Sequence, residues 1–383
     1  MGIPYLLRNL QEYNCRIPLL PCPNEKDEVN KIANRIAVKG LFNSIGIDES
    51  VFLHGHTKFE DSIDENAFHV ASAIEHYINS ICNFFEYYND NNKKIYYIKI
   101  FLSVDGPPPI PKNRRDIREE KLDAYSKLSL NEKKRLQTCV SLKLQTMLLS
   151  YEKYKRYNFN VQSNHESDYF DKEEGEIELM NFAKKQDNHT TNVILTSDSD
   201  VTAMVIYNKM EDIVIVSPKC SNNCPFIWDL QSISDGLNLN YNQLIKYVNF
   251  HFVFFGSDYN YGLMNCATDS KKRIIHRESS NETSDINNVG KQFLRTKILN
   301  NYNEKKYDSV TLEYFKKLLE VEAVCSMMYY ASLGEMKYLL KESPRIYLEY
   351  KNNKLNIGLI LSLLNFESGD SQRGKKNGSY IAD

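Results

Sequence analysis

Ile95-Tyr-Tyr-Ile-Lys-Ile-Phe-Leu-Ser-Val-Asp105 is rich in β-branched and aromatic residues and stops at an aspartate, so it reads as a strand. Upstream, Ile45-Gly-Ile-Asp-Glu49 has the same character and carries Asp48 near its end. Between the two, Ala67, Ala71, Ile74, Ile78, Ile81 and Phe85 recur at helical spacing, which makes a strand–helix–strand unit. A further pair of units follows: a helix over about 175–186, a strand over 192–197, a helix over 201–210 and a strand over 212–216. This alternation predicts an α/β fold, a mostly parallel central sheet flanked by helices.

Around that core the organisation is coarser. Residues 1–14 read as a short amphipathic helix with Leu6, Leu7 and Leu10 on one side. Leu136, Val140, Leu144, Met147, Leu148 and Tyr151 mark a long amphipathic helix whose other face is basic. Residues 112–157 hold 13 Lys+Arg against 6 Asp+Glu, and residues 158–200 hold 3 against 10, so a segment of net +7 adjoins one of net −7. Two solvated helix faces would look like this; so would a phosphate clamp beside a metal site. The expected domains are a core over 1–262 with a basic helical insertion at 106–157, a helical C-terminal region over 263–366 and a polar tail at 367–383. Within the C-terminal region, helices near 309–320, 321–341 and 355–366 are expected to pack as a cap, with a polar loop at 277–290.

Composition sets limits. The 383 residues are 42% hydrophobic and 26% charged, enough for a sizeable core, and the formal net charge is −2. Affinity for nucleic acid must therefore come from local segregation of charge. No stretch approaches the roughly 20 apolar residues of a membrane span. The N-terminus has neither the basic flank nor the apolar run of a signal peptide, so an intracellular protein is expected. The eight cysteines lack paired CxxC spacing; Cys220 and Cys224 are the closest pair, and buried free thiols are the simplest reading.

The acids are the informative residues. Asp198 and Asp200 close Val-Ile-Leu-Thr-Ser-Asp-Ser-Asp, where the alternation of an extended strand would send both side chains one way. Glu176 and Glu178 open a helix in Gly-Glu-Ile-Glu and can share a site only in its first turn. Asp258 follows the apolar run Phe-Val-Phe-Phe-Gly-Ser. A lone Asp at a strand end is usually a turn former. Seven acids in five such contexts point instead to a cluster at the carboxyl ends of strands, where open α/β sheets build their sites. Crowded carboxylates need cations, and all-oxygen donors favour Mg²⁺ or Mn²⁺. A pair of such ions suits phosphodiester hydrolysis.

Met-Gly-Ile-Pro-Tyr-Leu-Leu-Arg at the start, Ile-Gly-Ile-Asp-Glu-Ser-Val-Phe-Leu-His at 45–54, Val-Asp-Gly-Pro-Pro-Pro at 104–109, Gly-Glu-Ile-Glu at 175–178, Thr-Ser-Asp-Ser-Asp at 196–200 and Phe-Gly-Ser-Asp-Tyr at 255–259 resemble, in order, the motifs of the flap endonuclease and 5′→3′ exonuclease family of PIN-like nucleases. The resemblance spans about 1–262. It implies that Asp48, Asp105, Glu176, Glu178, Asp198, Asp200 and Asp258 are metal-site acids for two Mg²⁺ or Mn²⁺ ions. It also implies that Lys112 contacts the scissile phosphate, with Arg118 nearest to a second cation, and that Gly2 lies beside the site. The 106–157 insertion then resembles the arch through which a 5′ strand threads, and the implied partner is nucleic acid with a free 5′ end or flap. After Asp258 no Gly-x-Gly turn appears, so the family's grip on duplex backbone is not implied. His54 and His56 are read as surface or core residues.

A structural alternative also fits the sequence. It is a viral occlusion-body lattice protein, polyhedrin-like in role and built on the same fold, in which 26 tyrosines and eight cysteines supply contacts between copies.

Overall fold

The computed structural model describes residues 3, 5–19, 35–36, 42–88, 96–106, 123–165, 172–186, 190–218, 225–259, 275–277, 279–281 and 326–334. Gly2, Lys112, Arg118, the Cys220/Cys224 pair, the expected helices at 309–320 and 355–366 and the tail at 367–383 lie outside the described residues. The chain divides into two compact units. One comprises Leu10–Pro108 and Arg118–Leu237, the other Met1–Asn9, Pro109–Ile117 and Asn238–Asp383.

The first unit is built on a seven-stranded sheet: β1 (Ile17–Pro18), β2 (Phe42–Asp48), β3 (Tyr96–Ser103), β4 (Tyr157–Ser163), β5 (Thr191–Leu195), β6 (Ile213–Ser217) and β7 (Phe226–Asp229). Their order is β1-β7-β6-β5-β2-β3-β4, with β6, β5, β2, β3 and β4 mutually parallel and β7 antiparallel to both β6 and β1. The expected parallel α/β sheet is thus present. β5 and β6 are buried at every position, as expected of strands covered on both faces. β4, at the edge, alternates Tyr157, Phe159 and Val161 with the more exposed Asn158, Asn160 and Gln162.

The helices follow in chain order. α1 (Leu6–Glu12) buries Leu6 and Leu10. α2 (Glu49–His56) starts directly from β2, and α3 (Ile63–Tyr88) carries Ala67, Ala71, Ile74, Ile78, Ile81 and Phe85, all buried as the spacing predicts. α4 (Ala124–Lys127) is one turn, and α5 (Leu130–Ser150) is opened by a capping box between Ser129 and Glu132. That motif typically contributes about 1 kcal/mol. α5 buries Leu136, Val140, Leu144, Met147 and Leu148 in the same core as β2, β3 and α3, each worth roughly 1.5–3 kcal/mol. Of the 106–157 segment read as an arch, residues 123–157 therefore include a crossover helix packed on α3 and leading into β4. Its Lys133, Lys134 and Arg135 stay exposed or half-exposed, and Lys143 pairs with Asp64 at 3.0 Å.

α6 (Gly175–Lys184), α7 (Ser199–Tyr207) and α8 (Leu230–Leu237) complete this unit. Among the described residues no helix is long and apolar enough to cross a membrane.

In the second unit, α9 (Tyr241–Phe255) is capped by Asn240 and Gln243 and stopped by Gly256 at φ 79°. The apolar run before Asp258 is therefore the last turn of a helix, not a strand. Phe252 packs at a tilt against Tyr330 and Tyr259 edge-on against Tyr329, with both tyrosines at 329 and 330 fully buried. Residues 326–331 are helical, within the helix expected at 321–341. The polar loop expected from 277 begins differently: 275–277 and 279–280 are helical, and the Ser279 and Ser280 hydroxyls donate back to the carbonyls of Ile275 and His276.

Candidate active site

Parallel register brings the acids of three strands to one edge. Ile47 lies opposite Leu195 in β5, and Asp48 opposite Ser103 in β3. The chains leaving β2, β3 and β5 therefore emerge at one level, and Asp48, Asp105 and Asp198 are each at or within three residues of a strand's carboxyl end. Asp48 is 5% exposed. Burial pushes its carboxyl up to about 7, aided by the negative charges of Asp105 and Asp198, while the Thr196 hydroxyl, donating to Oδ2 at 3.0 Å, opposes the rise. Asp105 and Asp198 are thus each within electrostatic reach of Asp48.

Asp105, Glu178 and Asp198 each accept a backbone N–H. Asp105 Oδ1 accepts the Gly175 N–H at 2.9 Å, joining the end of β3 to the start of α6. A Cβ on Gly175 would lie 2.9 Å from that same oxygen, so any larger residue would push the Asp105 carboxylate aside. Glu176 and Glu178 stand half-exposed in the first turn of α6, as the sequence requires, and Glu178 Oε1 accepts the Glu173 N–H at 3.3 Å.

Asp198 and Asp200 depart from expectation. The strand ends at Leu195, and Asp198 is the N-cap of α7, its Oδ1 accepting the Asp200 N–H at 3.0 Å. The two acids are spaced by a helix start rather than by strand alternation, because Ser197-Asp198-Ser199 favours capping over extension. Asp200 is buried in the first turn of α7. Asp258 is buried in the second unit, where Tyr259 N–H is held by the Ser257 hydroxyl.

Reasoning from the sequence overlooked two partners inside motifs it had singled out: Thr196, which donates to Asp48, and Gly175, which donates to Asp105. A third feature left no such signal. Glu49 and His165 form a buried pair at 2.5 Å beside Asp48, joining α2 to the end of β4.

The donors are all carboxylate oxygens, and Asp48 is raised by burial first and by its acidic neighbours second, so the set suits a hard divalent cation. As they stand, no three His, Cys, Asp or Glu side chains among the described residues close on a single point that would hold a metal ion.

No family model matches the chain, and no curated protein matches it in sequence. Solved structures similar to it include the catalytic core of Rad2 in complex with DNA substrate, at 13% identity and TM-score 0.45, covering 99% of this chain and 100% of that one. Flap endonuclease-1 from Methanococcus jannaschii is similar at 15% identity and TM-score 0.35, covering 90% and 93%. Human GEN1 in complex with Holliday junction DNA is similar at 13% identity and TM-score 0.39, covering 89% and 78%. The functional reading rests on this chain's own residues.

Proposed function

We propose that the protein is a metal-dependent phosphodiesterase that hydrolyses DNA or RNA at the carboxylate cluster on the carboxyl edge of the sheet. The observation that carries the reading is geometric: parallel register sets the ends of β2, β3 and β5 at one level, so that the buried Asp48 shares one edge of the sheet with Asp105 and Asp198. A protein gains no stability from burying one carboxylate beside others that repel it; a cation-binding centre gives the arrangement a use.

Asp48, Asp105, Glu176, Glu178, Asp198 and Asp200 would hold Mg²⁺ or Mn²⁺ ions, as a pair. When bound, these supply Lewis acidity and a water of lowered pKa. The Thr196 hydroxyl orients Asp48, and the Gly175 N–H orients Asp105. Asp258, Lys112 and Arg118 enter the reading through the sequence resemblance alone, as does a substrate with a free 5′ end or flap. On that basis Lys112 and Arg118 would offset charge on the phosphate.

Nothing in the structure favours the lattice alternative. Of the three described cysteines, Cys139 is a half-buried free thiol, while Cys15 and Cys82 are buried ones that burial pushes well up, Cys15 to about 12. Such thiols are poorly placed to bridge copies.

The test is cleavage of single-stranded and 5′-flapped DNA and of single-stranded RNA in Mg²⁺. The wild-type chain should cut at least one of them and Asp198→Ala should not. Absence of turnover on all of them would remove the proposal.

A further inference from the structure

Glu49 and His165 form a buried pair that the proposed chemistry has not used. Their side chains are 0% and 3% exposed, and His165 Nε2 lies 2.5 Å from Glu49 Oε2. The contact joins the first residue of α2 to the chain just beyond β4. Glu49 follows Asp48 directly, and Asp48 caps α2 with no side-chain bond to it, so the helix start does not itself fix that carboxylate.

The residue before His165 does the corresponding work one strand over. Asn164 Oδ1 accepts the Val104 N–H at 3.1 Å and its Nδ2 donates to the Val104 carbonyl at 3.0 Å, so one amide takes up both backbone groups of Val104. The Asn164 N–H donates to the Leu102 carbonyl at 3.2 Å, which carries the pairing of β3 with β4 one residue further. On the other side of Asp105, the Gly106 N–H donates to the Glu173 carbonyl at 2.8 Å, and a methyl on Gly106 would overlap the Lys172 carbonyl. Asp105 is thus held at both of its neighbours. Two consecutive residues after β4 therefore grip the residue before Asp105 and the residue after Asp48.

The Glu49–His165 pair is a poor device for stability alone. Glu49 Oε1 and His165 Nδ1 are buried and meet no hydrogen-bond partner among the described residues, and such atoms forfeit the bonds they would make in water. Apolar side chains of similar volume often replace a buried ion pair at no loss of stability. What the pair and Asn164 do provide is a tie from one short segment to the flanks of two acids on adjacent strands.

We propose that Asn164 and His165 are positioning residues for the carboxylate cluster, setting how far Asp48 stands from Asp105 and so how tightly a divalent cation is held. The inference rests on the phosphodiesterase reading and deepens it. Neither residue touches the reacting atoms: His165 acts through Glu49, and Asn164 acts through Val104.

The test reads metal affinity apart from folding. Mn²⁺ binding to the full chain is measured by calorimetry beside a thermal melt in EDTA, for wild type, for the double variant Glu49→Leu with His165→Leu, and for Asn164→Ala. The double variant removes both partners and strands neither, so its melting temperature should stay within a few degrees of wild type. Its Mn²⁺ affinity should fall about tenfold, and kcat in Mg²⁺ should fall by a similar factor with little change in KM. Asn164→Ala should also bind Mn²⁺ about tenfold more weakly, and it gives an independent reading if the double variant does not fold. Unchanged Mn²⁺ affinity in the folded double variant, or in Asn164→Ala where only that variant folds, would overturn the positioning role; a purely structural pair would move the melt and leave affinity per folded molecule alone.

The two proposals fail separately. A wild-type chain that binds Mn²⁺ with the predicted dependence on Asn164 and His165 but cuts nothing in Mg²⁺ overturns the nuclease reading alone. Variants that bind Mn²⁺ and cut like wild type overturn the positioning role alone, and a wild-type chain that neither binds Mn²⁺ nor cuts overturns both.

Discussion

Two clusters of acids, each with one buried member, Glu75 and Asp48, occupy the sheet unit and meet different partners. Between α3 and residues 152–157, Glu75 accepts from the Tyr154 hydroxyl and pairs with Lys153 at 2.6 Å, and Glu86 accepts from Tyr157 at 2.7 Å. Burial, reinforced by Glu75 for Tyr154 and by Cys82 and then Glu86 for Tyr157, pushes both phenols up, so each stays a donor. Every acid there has its own donor. At the carboxyl edge of β2, β3 and β5 the strongest influences on Asp48 are burial and the charge of Asp105, and neither Asp48 nor Asp105 has an ion pair among the described residues. In the first cluster each acid meets a hydroxyl or ammonium donor; in the second, among the described residues, Asp48 meets only the Thr196 hydroxyl and Asp105 only the Gly175 N–H. On the proposed function, that contrast separates acids that hold the fold from acids that serve the chemistry.

The sharpest way to break this contrast is to remove one acid from each side. Asp198→Ala should lower nuclease turnover by about 10³-fold or more while leaving the melting temperature within a few degrees of wild type. Glu75→Ala should do the reverse: it strands the buried Tyr154 hydroxyl and costs about 2–3 kcal/mol by denaturant titration, with turnover per folded molecule unchanged. Similar behaviour of the two variants in both assays would dissolve the distinction.

The next effect is on pH. The folded pKa of Asp48, about 7, lies above the ~3.9 of an unfolded aspartate, so the folded chain keeps a proton that the unfolded chain releases. Stability without divalent cation should be fully present below about pH 4 as far as this group is concerned. It should then fall by roughly 2–4 kcal/mol as pH rises towards 7. Saturating Mg²⁺ should cancel most of that fall, and parallel melts in EDTA and Mg²⁺ across the window would read it.

Asp48→Asn should raise metal-free stability at pH 8 by about 1–3 kcal/mol while abolishing turnover, the trade expected where function maintains a strained charge. The smallest effect is at Gly175→Ala, which crowds Asp105 Oδ1: turnover should fall about tenfold and stability shift by less than about 1 kcal/mol.

The sequence made the buried centre of the sheet legible because its signals are strong there. β3, β5, β6 and the apolar stripes of α3 and α5 follow from β-branched runs and helical spacing. β4 was overlooked although Tyr157-Asn-Phe-Asn-Val-Gln-Ser163 alternates as a half-buried edge strand should; the charge contrast around it drew the reading instead. β1 and β7, at two and four residues, are too short for periodicity to register. α9 carries a readable capping box at Asn240 and Gln243, but its aromatic C-terminal turn imitates a strand before Asp258. Of the candidate site, the identities of the acids were visible, and parallel register then explains why Asp48, Asp105 and Asp198 approach one another. The pairing of Glu49 with His165 and the locking of Lys172 against Gly106 depend on contacts between distant segments, which no local pattern encodes.

The most direct test of the central claim is Mn²⁺ binding by calorimetry at pH 7.5, on the wild-type chain and on Asp48→Asn. The carboxylate centre predicts binding by the wild type and at least about tenfold weaker binding by the variant. No heat of binding in the wild type, or undiminished affinity in Asp48→Asn, would contradict it.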